Sequence, residues 1–210
     1  MEICRINPTN PDPAAVDLAA RVLRSGGLLI YPTDTCYGLG ADARSVRAME
    51  RISALKGGRP ESKRYSIIAR DLEHIEKVTL VNDVQRQILQ AYLPGPYTFI
   101  LMNCDFEVAK TSTLGVRIPD YPVTAALAAA FDEPYITTSA NLSGTGAVYS
   151  IEELKADFLD RVPPDLWPDL VLDAGPLTLR DPSTVIDLTK DPPTVLRPST
   201  HSFSWPIGDA

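Results

Sequence analysis

Histidine is nearly absent: His74 and His201 are the only two in 210 residues, which excludes a metal centre built from several imidazoles. Cysteine is scarce too. Cys4, Cys36 and Cys104 are odd in number and far apart, so no disulfide framework is expected and a reducing cytoplasmic home fits best. No apolar run approaches the ~20 residues that span a bilayer; the longest, such as Val123–Phe131, fall far short, and no membrane partner is expected. The first residues carry Glu2 and no apolar signal core, so secretion is not expected. Positive charge is also in deficit. A net charge of −7 argues against a protein that coats nucleic acid through its overall field.

What is present describes an ordinary globular chain, 44% hydrophobic and 22% charged. Its length suits a single domain over residues 1–210 that buries a core without disulfide or metal staples. Proline is the one residue in excess: nine of the nineteen lie after residue 161, so the C-terminal segment from about 161 is expected to be rigid and extended. Local charge also departs from the average. Lys56, Arg59, Lys63, Arg64 and Arg70 face a single acid, Glu61, within fifteen residues. A small polyanionic ligand explains that concentration, and so does a solvated charged loop.

Asp12-Pro13 predicts a helix start, with Val16, Ala19, Ala20 and Leu23 at helical spacing and Gly26-Gly27 as the stop. Leu28–Tyr31 reads as a buried strand, and Ser45 opens a helix with Ala48, Met49, Ile52 and Leu55 on one face. Further strands are expected at Tyr65–Ala69, Tyr97–Met102, Gly115–Ile118, Tyr135–Thr138, Leu170–Leu172 and Thr184–Leu188. Helices are expected over Asn82–Leu93, Pro122–Phe131 and Ile151–Leu159. The alternation predicts an α/β fold: a twisted, open β-sheet with helices packed around it, mixed rather than parallel because Tyr97–Ile118 reads as a hairpin.

Polar or glycine-bearing segments cluster at the ends of these strands, where α/β folds bind ligands. They are Thr33–Gly40, Lys56–Pro60, Ser139–Gly144 and Pro182–Thr184, with Arg117 and Arg197 standing alone just after apolar strands. Such an arginine can fork onto a carboxylate or phosphate. No Gly-x-x-x-x-Gly-Lys-Ser/Thr loop occurs, which excludes a P-loop enzyme. Gly38-Leu39-Gly40 begins too far beyond its strand for a dinucleotide fingerprint. Ser53–Lys56 with Ser139–Asn141 mimics two serine β-lactamase motifs, but the third has no counterpart in the required order. Cys36 has no histidine near it in sequence and reads as an inert, buried thiol. The remaining hydroxyls, amides, lysine and arginines suit the binding and alignment of anionic substrates.

Six segments in order resemble the YrdC/YciO family: Tyr31–Gly40, Lys56 with Arg59-Pro60, Leu93–Leu101, Gly115–Pro119, Ser139–Gly144 and Pro182–Asp187. The resemblance covers nearly the whole chain. It implies threonylcarbamoyl-AMP synthesis from L-threonine, bicarbonate and ATP, with Mg²⁺ accompanying the nucleotide and pyrophosphate released, for the threonylcarbamoyl modification of tRNA. It also implies an association with double-stranded RNA. Carried over by motif, Lys56, Arg59, Ser139 and Asn141 would form the catalytic, nucleotide-facing set, with no resident metal. Thr33, Arg117 and Ser183 resemble threonine-binding residues, and Thr113 and Arg197 resemble nucleotide contacts.

The chain departs from the synthase pattern in three places. Gly57-Gly58 stand where synthases have one residue, Lys63-Arg64 replace the usual Asn-Pro, and Ile68-Ala69 occupy the place of an expected histidine. Other features, such as Tyr31 and Val185–Thr189, resemble the YciO branch. The alternative to a synthase is therefore a YciO-like protein that binds RNA or tRNA with little or no adenylate synthesis.

Overall fold

The computed structural model describes residues 1–57, 66–104 and 111–205. Among them, eleven strands join in one mixed sheet. In chain order these are β1 (Glu2–Arg5), β2 (Leu28–Pro32), β3 (Tyr37–Asp42), β4 (Ser66–Ile68), β5 (Thr79–Leu80), β6 (Tyr97–Asn103), β7 (Thr113–Arg117), β8 (Tyr135–Ser139), β9 (Leu170–Asp173), β10 (Thr184–Asp187) and β11 (Thr194–Arg197). Their spatial order is β1-β9-β2-β3-β8-β4-β7-β6-β10-β11, with β5 beside the end of β6. The predicted hairpin is there: β6 and β7 run antiparallel. The proline-rich segment after residue 161 contributes β9, β10 and β11 to this same sheet.

The helices are α1 (Pro13–Arg24), α2 (Val46–Leu55), α3 (Leu72–Glu76), α4 (Asp83–Tyr92), α5 (Pro122–Phe131) and α6 (Ile151–Glu153). Their starts follow the sequence chemistry. Asp12 and Ser45 accept from the free amides of α1 and α2, and Asn82 with Gln85 forms a reciprocal capping box on α4. The helix expected over Ile151–Leu159 is instead one α turn that widens into a π turn at Leu154–Phe158. The wider winding puts Leu154, Phe158 and Leu159 together in the core, a spacing that a regular helix would splay.

Side-chain alternation gives the sheet two unlike faces. Leu28, Ile30, Leu39, Ile67, Phe99, Leu101, Val116, Ile136 and Ile186 point to one side, where α2 and α4 and residues 148–159 cover them. The opposite face is divided. Leu29, Tyr31, Ile68, Tyr135 and Leu172 lie under α1 and α5. One step along the same strands, Ser66 and Thr137 pair where Ile68 and Tyr135 paired before, and the helical cover ends.

Strand β3 is not expected from sequence, where Thr33–Gly40 reads only as a polar, glycine-bearing segment at the end of β2. It pairs with β2 and β8, and its glycines make room for a ring. A Cβ on Gly40 would stand 2.8 Å from Tyr31 Cε1 and 3.2 Å from the Ile136 carbonyl. Tyr31 is fully buried and donates from its hydroxyl to Thr137 Oγ1 at 2.7 Å, so it has no room to yield. Gly40→Ala is expected to lower unfolding free energy by about 1–3 kcal/mol in urea titrations. Gly146→Ala, where a Cβ meets nothing within 4 Å, is expected to leave it nearly unchanged.

Candidate functional site

The uncovered part of the divided face opens into a cavity of about 690 Å³, within the size range of ligand pockets. Its floor is hydroxyl-bearing: Ser66 from β4, Thr98 from β6, and Thr137 and Ser139 from β8. Gly38 lines it too, and a Cβ there would stand 3.1 Å from Tyr31 Cζ and 3.3 Å from Thr33 Cγ2. Ile100, Val185 and Leu196 make a short apolar wall, and Thr145, Ala147 and Tyr149 border the opposite side.

Three residues predicted from sequence meet at the end of β8. Lys56, the residue that ends α2, is 3% exposed, and its Nζ donates to the Ser139 carbonyl at 2.8 Å and to Asn141 Oδ1 at 3.1 Å. Ser139 Oγ also donates to Asn141 Oδ1, and Asn141 Nδ2 donates to the Thr145 carbonyl at 2.6 Å. Ser139 and Asn141 line the cavity, and Lys56 supports them from behind. Arg59, Lys63 and Arg64 lie outside the described residues.

Thr33 anchors the β2–β3 turn. Its Oγ1 donates to the Cys36 carbonyl and accepts from the amides of Thr35 and Cys36, at 2.7, 3.1 and 3.2 Å. This closed loop of bonds fixes the turn and leaves Thr33, Thr35 and Cys36 on the cavity wall. Arg117, at the end of β7, lines the cavity and donates from Nη2 to Asp34 Oδ1 at 2.7 Å. Arg197, at the end of β11, forks onto Ser183: Nε and Nη2 reach the Ser183 carbonyl at 3.0 and 2.9 Å, and Nη2 reaches Oγ at 3.0 Å. Ser183 Oγ in turn meets Thr98 Oγ1 at 2.8 Å. Thr113 is buried at the start of β7 and does not line the cavity.

Sequence reasoning does not single out Asp34 or Arg180. Asp34 meets its partner 83 residues away, a pairing that no local pattern reveals. Arg180 lines the cavity, and the Tyr149 hydroxyl donates to its carbonyl at 3.1 Å, which fastens the segment before Ser183 to the far rim. Among the described residues, Lys56, Arg117, Arg180 and Arg197 thus gather around one cavity with the Asp34 carboxylate beside Arg117, on a chain of charge −7. Burial, and then the Arg117 guanidinium, lower the Arg197 pKa from its ordinary value. Among the described residues, no group of three His, Cys, Asp or Glu side chains is placed to hold a metal ion. No described helix is long and apolar enough to cross a membrane.

The sequence and the fold both have known relatives. A sequence model of the family Sua5_yciO_yrdC, described as Telomere recombination, matches residues 21–199. The chain belongs to the Sua5/YciO/YrdC family. It is 36% identical over 198 residues to the YciO protein of Escherichia coli K12, covering 91% of this chain and 92% of that one. The crystal structure of E. coli YciO superposes with a TM-score of 0.84 at 33% identity, over 96% and 98% of the two chains. A threonylcarbamoyl-AMP synthase of Mus musculus is 35% identical over 188 residues, 83% of this chain and 63% of that one. The crystal structure of Pyrococcus abyssi Sua5 complexed with L-threonine superposes with a TM-score of 0.84 at 29% identity, over 95% of this chain and 58% of that one.

The cavity also explains why Cys36 fits no nucleophile's role. Burial pushes its thiol up from the usual value, and the Arg117 guanidinium offsets this only in part. At pH 7.5, iodoacetamide is expected to label exposed Cys104 well before Cys36, with Cys36 labelling rising steeply as the pH is raised. Mass spectrometry showing Cys36 labelled first at pH 7.5 would mean that a thiolate stands in the cavity.

Proposed function

We propose that this chain is an L-threonylcarbamoyladenylate synthase, acting on L-threonine, bicarbonate and ATP. The observation that carries the reading is the bonded set Lys56–Ser139–Asn141, whose serine and asparagine line the same cavity as Arg117 and Arg197. The Sua5 structure with L-threonine supports an amino acid as one ligand, and the synthases among the relatives support the reaction.

The chemistry asks for alignment rather than a protein nucleophile. The neutral amine of threonine takes up the carbon of bicarbonate, with loss of water, to give a carbamate. A carbamate oxygen then attacks the α-phosphorus of ATP in line, and the bond to pyrophosphate breaks. Negative charge grows on the leaving oxygens, and preorganised cations and hydrogen-bond donors stabilise it. Arg117 would take the α-carboxylate of threonine beside Thr33. The Ser139 hydroxyl, kept in place by Lys56 and Asn141, would face the nucleotide with Arg197, and Arg59 is proposed to join them on the phosphates. Ser183, pinned between Arg197 and Thr98, would border the amino acid. Mg²⁺ would enter with the triphosphate, since the described residues offer no carboxylate cluster of their own.

Purified protein is expected to release pyrophosphate only when L-threonine, bicarbonate and Mg–ATP are all present, and a chelator is expected to stop the release. Replacing both Ser139 and Asn141 by alanine is expected to lower kcat/KM by ~100-fold or more. Release of orthophosphate, or release independent of threonine, would contradict the assignment.

A second reading is favoured by the near-complete match to YciO, which spans both chains, and by the glycine pair at Gly57-Gly58. In it the chain binds RNA or tRNA and makes little adenylate. RNA affinity would then fall with salt, and neutralising each phosphate-binding cation by mutation would lower the log–log slope by ~0.7–0.9.

A further inference from the structure

The buried ion pair at the cavity wall is incompletely satisfied on both sides. Arg117 gives Asp34 a single Nη2–Oδ1 bond of 2.7 Å, although the two side chains are only 9% and 4% exposed. Asp34 Oδ2 and Arg117 Nε are both buried, and neither has a hydrogen-bond partner among the described residues. A two-bond fork between the same groups would satisfy both atoms. The observed pair instead leaves desolvated charge on each partner, which is costly and makes a poor stability device.

Its placement explains what the pair does. Arg117 lines the cavity and Asp34 does not, so the carboxylate stands behind the guanidinium as seen from the ligand space. Asp34 is held there by its neighbour, because Thr33 Oγ1 closes the turn on either side of it. The bond also crosses the sheet: β3, β8 and β4 separate β2 from β7. Asp34 therefore fixes the far end of a long side chain that springs from a distant strand. Its negative charge also lets Arg117 share the cavity with Arg197, a second guanidinium on the same lining.

We propose that Asp34 is a positioning residue for the amino-acid carboxylate: it holds Arg117 by one edge and leaves the rest of the guanidinium presented to the cavity. The inference rests on the threonine reading above and adds to it the residue that sets the arginine's orientation. Without Asp34 the guanidinium regains rotamer freedom, and the carboxylate site is no longer preorganised. Nucleotide contacts at Ser139 and Asn141 do not depend on it.

The test is calorimetric titration of the wild type and Asp34→Asn with L-threonine and, separately, with Mg–ATP. Threonine affinity is expected to fall by about 10-fold or more while Mg–ATP affinity stays within about twofold, which also shows the variant to be folded. Equal loss of both ligands, or undiminished threonine affinity, would overturn the proposal. If the wild type itself takes up no threonine, the threonine reading fails on its own account. The positioning role is then decided by ¹⁵N NMR of the Arg117 Nε–H, assigned by its loss in Arg117→Lys. That signal is expected to be sharp and slow to exchange in the wild type and broadened or lost in Asp34→Asn; an unchanged signal would overturn the role of Asp34.

Discussion

Period-two alternation obliges each central strand of this sheet to serve two surroundings at once, and the molecule depends on how one of them is left open. On the far side, Ile67, Phe99, Val116 and Ile136 are wholly buried under helices and need no partners beyond packing. On the near side, α1 and α5 cover only part of the same strands. Along β8 the change takes one step: Tyr135 lies under α5, and Thr137 and Ser139 follow on the same face without cover. Along β4, Ile68 gives way to Ser66 in register with it. A sheet face without cover must satisfy its side chains with each other, with water or with a ligand, and here it carries hydroxyls and guanidiniums.

The chemistry follows from that composition. Key polar groups at the cavity are held by other parts of the protein: Ser139 by Asn141 and Lys56, Ser183 by Arg197 and Thr98, Arg117 by Asp34. These bonds link β8 to α2, β10 to β11 and β6, and β7 to the β2–β3 turn. A site assembled this way has little conformational freedom still to lose on binding, which is the condition under which positioning alone accelerates a reaction between small anions. Burial pushes the Cys36 thiol up from its ordinary value, which is the opposite of what an activated nucleophile needs. Beyond Arg197, residues 201–205 pack as scaffold. Phe203 packs among Tyr92 and Phe99, His201 lies edge-on to Tyr97, and Trp205 rests against the main core.

Local signals in the sequence are legible where the chemistry is local. The caps Asp12, Ser45 and Asn82 mark helix starts that the structure reproduces, and Pro122–Phe131 is a helix over the range its pattern predicts. Strands β1 and β11 escape notice because both edge strands are mostly exposed and lack a buried face to write a pattern. Strand β3 escapes because its glycines serve a neighbour's ring, so the usual β-branched signature is missing. At the site, Ser139, Asn141, Arg117 and Arg197 can be singled out by residue type at strand ends. Asp34 and Arg180 cannot, since one acts through a partner in a distant strand and the other sits in a proline-rich segment without periodicity. Thr113 is singled out by its motif position alone; it is buried at the start of β7 and does not line this cavity.

On the synthase reading proposed above, the uncovered half of this face is one composite site for an amino acid and a nucleotide. The most direct measurement is a crystal structure of the protein grown with L-threonine, Mg²⁺ and a non-hydrolysable ATP analogue. The account predicts both ligands in the single cavity, with the threonine carboxylate on Arg117 and the phosphates along Ser139, Asn141 and Arg197. A cavity left empty under saturating ligands, or an amino acid seated with its carboxylate away from Arg117, would contradict it.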